Sequence, residues 1–158
     1  MAKVYIVTHG SKYPGGDPAM TDEGFEQIRA LVGHLPKHPS EVICGTGLRH
    51  RDVAEALGLA ITCYNALVGR PESLEKDGTV SLADCKSIPR TMYDKRGMKE
   101  ALLVLLSSLP DNAVICGGRP MLNDIGGKGE SAAVYTWENG TFTKIAAYGD
   151  IGGGEKEV

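Results

Sequence analysis

Hydrophobic positions come in short unbroken runs along the chain: KVYIVT (3–8), EVICG (41–45), AITCY (60–64) and AVICG (113–117). Continuous rather than alternating runs suit strands covered on both faces, as in a parallel sheet. Between the first two runs the pattern changes to a helical period in TDEGFEQIRALVGHL (21–35). Thr21 can cap this helix, Asp22 and Glu23 sit in its first turn, and Phe25, Ile28, Leu31, Val32 and Leu35 make one apolar stripe. RHRDVAEALGL (49–59) predicts a shorter helix ended by Gly58, and GMKEALLVLLSSLP (97–110) a further one stopped by Pro110. AAVYTWENGTFTKIAAY (132–148) splits at Asn139-Gly140, a strong hairpin signal. The order of elements predicts an α/β fold: a three-layer α/β/α sandwich with a mostly parallel sheet and a C-terminal antiparallel hairpin. Residues 1–158 read as a single domain, with 65–95, polar and without period, as an insertion or lid within it, and 149–158 as a frayed end.

Composition narrows the classes of function. A formal net charge of -3 with no basic run argues against a nucleic-acid surface. The longest apolar stretch, ALLVLLSSL (101–109), is too short to cross a bilayer, and MAKVYIVTHG lacks the features of a signal peptide. A cytoplasmic location without a membrane partner is the expectation. Cys44, Cys63, Cys85 and Cys116 are widely spaced and form no C-x-x-C pair, so reduced thiols are predicted. His34 and His38 are separated by Pro36, which breaks the helix that would align them, so no metal site is predicted. DIGGKGES (124–131) lacks the spacing of a P-loop.

Ligands of open α/β sheets bind beyond the carboxyl ends of the strands. Three predicted strands end in polar or glycine-rich clusters: Thr8-His9-Gly10-Ser11-Lys12, Gly45-Thr46-Gly47-Leu48-Arg49 and Gly117-Gly118-Arg119-Pro120. Were these strands neighbours, an imidazole, a guanidinium and several backbone N–H groups would converge on one point. That collection suits a phosphate, which a guanidinium grips through two oxygens and a helix N-terminus attracts.

With those residues in view, the sequence resembles the histidine phosphatase superfamily, the phosphoglycerate-mutase-like group. Thr8-His9-Gly10 is similar to its Arg-His-Gly signature after strand one, and MTDEGFEQIRAL (20–31) to its L-T-x-x-G-x-x-Q-A first helix. GTGLRHRDVAEAL (45–57) is similar to S-P-L-x-R-A-x-x-T-A, and AVICGGRP (113–120) to V-x-V-G-H-x-P. The resemblance implies that His9 is a nucleophile taking up a phosphoryl group and that Arg49 clamps its oxygens. Thr8, Gly10, Lys12, Gly118 and Arg119 would complete the phosphate site, with Glu72, Glu75 or Asp124 as the proton donor to the leaving group. Two positions depart from the pattern: Thr8 stands where the group has an arginine, and Gly118 where it has a second histidine. Losing two charge-assisted hydrogen bonds would cost roughly 3–6 kcal/mol, or about 10²–10⁴-fold in rate. Lys12, Arg119, His50 and Arg51 lie close enough in sequence to compensate. The resemblance therefore implies a cofactor-free, metal-independent phosphatase acting on a phosphorylated small molecule or a phosphoprotein. The alternative is a catalytically impaired relative that binds a phosphorylated or anionic ligand, or a protein partner, without turnover.

Overall fold

The computed structural model describes residues 2–16, 18–69 and 95–151. Six strands form one mixed sheet: β1 (Val4–Thr8), β2 (Val42–Cys44), β3 (Cys63–Tyr64), β4 (Ala113–Gly117), β5 (Ala133–Glu138) and β6 (Thr141–Ala147), in the order β3-β2-β4-β1-β5-β6. β1 to β4 run parallel, while β5 runs antiparallel to β1 and β6 antiparallel to β5. The helices are α1 (Asp22–Arg29), α2 (Leu48–Leu57), α3 (Lys95–Ser108), α4 (Arg119–Asp124) and α5 (Tyr148–Ile151).

Alternation along the strands builds two cores. Val4, Ile6, Ile43 and Ile115 face Leu102 and Leu106 of α3 and Met121 and Leu122 of α4. Val7, Cys44, Val114 and Cys116 face Ile28 of α1 and Val53, Ala54 and Leu57 of α2. Side chains at successive strand positions point to opposite faces, so a continuous apolar run is what a sheet between two helical layers requires. Cys44 and Cys116 are buried side by side in register across β2 and β4, as free thiols; burial pushes Cys44 up to about 12.

The hairpin turns at Asn139 and Gly140, both at positive φ (55° and 77°), the backbone signature of the tight turn that Asn-Gly favours. Thr21 caps α1, its hydroxyl accepting the Gly24 N–H at 3.1 Å, and Gly58 ends α2 in the left-handed region. Three expectations need correction. The predicted helix over 21–35 stops at Arg29 and continues only as a 3₁₀ turn, Val32–His34, so that Leu31 stays buried with Ile28 while Val32, expected in the same apolar stripe, is exposed. The third run forms only a two-residue strand at the sheet edge. Residues 149–151 belong to α5 rather than to a frayed end. The expected lid falls almost wholly outside the described residues. Among the described residues no helix is long and apolar enough to cross a membrane.

Candidate functional site

Register brings the three clusters together. Thr8 pairs with Gly117 and Cys44 with Cys116, so β1, β4 and β2 end side by side and their following loops leave from one edge. His9 is 5 % exposed there, its backbone carbonyl accepting the Ala132 N–H at 2.8 Å. The loop that carries it is fixed by the first turns of α1. Gln27 Oε1 accepts from the Ser11 N–H at 2.9 Å and faces the Ser11 hydroxyl at 3.3 Å. A Cβ on Gly24 would collide with the Ser11 carbonyl, and one on Gly10 would lie 2.8 Å from the Gly24 carbonyl. Gly24 and Gln27 thus act on the site through the loop bearing His9. Sequence reading found them only as matches to a motif, without their task.

The ring of His9 has a defined tautomer. Nδ1 lies 2.9 Å from the Gly10 carbonyl oxygen, which can only accept, so Nδ1 carries the hydrogen and Nε2 of the neutral ring carries the lone pair. Burial pulls the pKa of His9 down from its ordinary 6.5 to about 4; the Gly10 bond opposes this, and the cations Arg49, Arg119 and Lys12 add to it. Among the described residues, the charges that act most on the imidazole are these three cations, and they come from three different segments. The guanidinium of Arg51, in contrast, lies 5.4 Å over the Tyr64 ring. That stacking directs it to the β3 edge and leaves Arg49 as the α2 arginine whose charge reaches His9.

This depressed pKa has a stability consequence with a definite sign. Between about pH 6.5 and 4 the unfolded chain binds a proton at this residue that the folded chain does not, so stability falls as pH drops through that window. The contribution is complete above 6.5 and reaches about 3 kcal/mol of loss by pH 4. Urea denaturation of His9→Asn is expected to lose this part of the slope between pH 7 and pH 4; an unchanged slope would show that His9 is not held neutral.

The remaining predicted residues divide. Lys12 and Arg119 are exposed, and their charges act on His9. Thr8 is fully buried and its hydroxyl is engaged elsewhere, donating to the Glu130 carbonyl at 2.6 Å and accepting the Ala133 N–H at 3.0 Å. While those bonds stand, Thr8 has no proton to offer an anion; it ties β1 to β5. Four of the backbone N–H groups expected to line a cradle are engaged within the protein. Gly10 N–H donates to Met20 Sδ, Gly118 N–H to the Val68 carbonyl at 2.9 Å, Gly45 N–H to the Cys116 carbonyl at 2.9 Å, and Thr46 N–H to the Gly69 carbonyl at 2.7 Å. The loop after β3 lays its carbonyls across the ends of β2 and β4 and takes up amides that the sequence offered to a ligand. Positive charge at this edge is supplied by side chains. Asp124 closes α4 and is not among the charges acting on His9; Glu72 and Glu75 lie outside the described residues. Among the described residues, no three His, Cys, Asp or Glu side chains cluster as metal ligands would.

No family model matches the chain, and no curated protein matches its sequence. Solved structures do. TTHB049 from Thermus thermophilus superposes with a TM-score of 0.64 at 17% identity, over 91% of this chain and 98% of that one. A phosphoglycerate mutase from the same organism gives 0.59 at 18% identity, over 91% and 98%. The fold is phosphoglycerate-mutase-like. The protein of open reading frame Rv3214 from Mycobacterium tuberculosis shares it, at a TM-score of 0.60 and 15% identity over 92% of this chain and 96% of that one. At these identities the likeness extends to the fold, and the chemistry is argued from the site itself.

Proposed function

We propose that this protein is a phosphatase that transfers a phosphoryl group from a phosphomonoester or a phosphohistidine to His9 and then to water. The observation that carries the reading is the tautomer and setting of His9. It is a neutral imidazole with its lone pair on Nε2, fixed by the Gly10 carbonyl, and Arg49, Arg119 and Lys12 surround it with positive charge. A neutral ring can attack phosphorus, and cations around it attract the dianionic substrate and stabilise charge on the phosphoryl oxygens during transfer.

In the first half-reaction Nε2 attacks in line, the N–P bond forms, and the bond from phosphorus to the leaving oxygen or nitrogen breaks with its electron pair. Arg49 holds two phosphoryl oxygens through its fork, with Arg119 and Lys12 as further cations. In the second half-reaction water adds to phosphorus, the N–P bond breaks, and orthophosphate leaves with the imidazole neutral again. The reading needs neither metal nor organic cofactor. Its substrates are phosphorylated small molecules or phosphoproteins, and a cytoplasmic setting fits the reduced thiols. A proton donor from Glu72, Glu75 or Asp124 would serve poor leaving groups. p-Nitrophenolate leaves without one, so p-nitrophenyl phosphate tests His9 independently of the acid.

In the presence of a chelator, the protein is expected to release p-nitrophenol and to yield phosphohistidine at residue 9 when quenched and digested under alkaline conditions, where that bond survives. Turnover without a trapped intermediate would remove the covalent mechanism. The second reading, a relative that binds anions without turnover, draws support from Thr8 and from the internally bonded amides, both withdrawn from the ligand. It predicts orthophosphate binding with no release of p-nitrophenol.

A further inference from the structure

Two glycines make room for one buried imidazole. His50 has no exposed surface. A Cβ on Gly45 would lie 2.6 Å from its Nδ1, too close to be tolerated, while one on Gly118 would stand at ordinary contact distance from Nε2, 3.4 Å. A Cβ on Gly69 would overlap the same ring, 2.7 Å from Nε2. Gly45 follows β2 and Gly69 follows β3, so two separate segments leave out a side chain around one ring, and Gly118, before α4, borders its Nε2 edge. His50 Nδ1 accepts the Gly47 N–H at 3.3 Å, which puts the hydrogen of the neutral ring on Nε2. The donor edge is thus the one turned toward Gly69 and Gly118, at the ends of β2 and β4. The ring centroid lies 6.2 Å from that of His9.

A third helical residue reaching back to the N-cap amide is an ordinary capping device, and capping accounts for Nδ1. It does not account for an imidazole enclosed by glycines next to a second imidazole, since the same cap is made by Gln or Glu at exposed helix starts. We propose that His50 is a phosphate-binding residue of the His9 site, its Nε2–H donating to an oxygen of the phosphoryl group carried by His9. The turnover part of this role rests on the phosphatase reading; the binding part does not.

Two substitutions separate the donor from the cap. In His50→Asn the side-chain oxygen can take the place of Nδ1 on the Gly47 amide, but no donor remains where Nε2 was. In His50→Gln a favoured capping residue carries an amide about as far out as Nε2. Orthophosphate affinity, by titration calorimetry, is expected to fall about 10- to 100-fold in His50→Asn, the range for losing one hydrogen bond to a charged group. kcat/KM on p-nitrophenyl phosphate should fall in parallel, with His50→Gln recovering most of both. Equal affinity in His50→Asn and the unsubstituted protein overturns the proposal. Should the Asn variant not fold, the unsubstituted protein labelled with ¹⁵N-histidine decides. The His50 Nε2–H resonance is expected to move on saturation with orthophosphate, and an unmoved resonance overturns the proposal. Orthophosphate binding without turnover defeats the phosphatase reading and leaves His50 to be judged on affinity; no binding by the unsubstituted protein defeats both.

Discussion

His9→Ala is expected to lower the rate of p-nitrophenyl phosphate hydrolysis by about 10⁴-fold or more, because removal of a nucleophile deletes the covalent route rather than one contact along it. The same variant keeps Arg49, Arg119 and Lys12, whose charges no longer face an imidazole that could take up a proton. Orthophosphate should therefore still bind to His9→Ala, and the ratio of lost turnover to lost binding is the measurement that matters. A variant that retained turnover within about tenfold of the parent would show that phosphorus is attacked by something else. Thermal melts recorded alongside establish that both proteins are folded when compared.

Arg49→Ala is expected to lower kcat/KM by about 10²–10⁴-fold, the equivalent of two charge-assisted hydrogen bonds. Arg49→Lys keeps the charge and loses the planar fork, so it should fall between Ala and the parent. Inhibition by orthophosphate should weaken in the same order. Removing this cation also relieves one of the influences that hold His9 low, so the acid limb of the pH–rate profile should move upward in Arg49→Ala. A loss below about tenfold with an unmoved acid limb would mean that Arg49 does not act on the phosphate, and Arg119 would then be the next guanidinium to test.

Much of this arrangement is written in local chemistry. The runs at 3–8 and 113–117 have room for nothing but strands between helical layers. Thr21 and Gly58 mark helix ends through a hydroxyl and a left-handed backbone, and Asn139-Gly140 sets the hairpin. The joining of His9 with Arg49 follows from β4 lying between β1 and β2, which the sequence admits without requiring. Long-range bonds were the illegible part. No pattern in the chain announces that Val68 and Gly69 accept the amides of Gly118 and Thr46, or that the Thr8 hydroxyl bridges to β5. α4 was hidden because Gly118-Arg119-Pro120 reads as a turn, although proline is well tolerated in the first turn of a helix. His50 showed in the sequence only as a neighbour of Arg49; the glycines that surround it come from distant segments and acquire meaning only in three dimensions.

The unequal anchoring of the two central groups has a mechanical consequence. His9 follows a five-residue strand paired on both sides, with β4 and β5, whereas Arg49 follows a three-residue strand whose outer neighbour is only two residues long. His9 thus leaves an interior strand with long pairing on both sides, and Arg49 lies beyond a shorter strand next to the sheet edge. A local opening of this edge of the sheet is therefore expected to displace Arg49 more than His9.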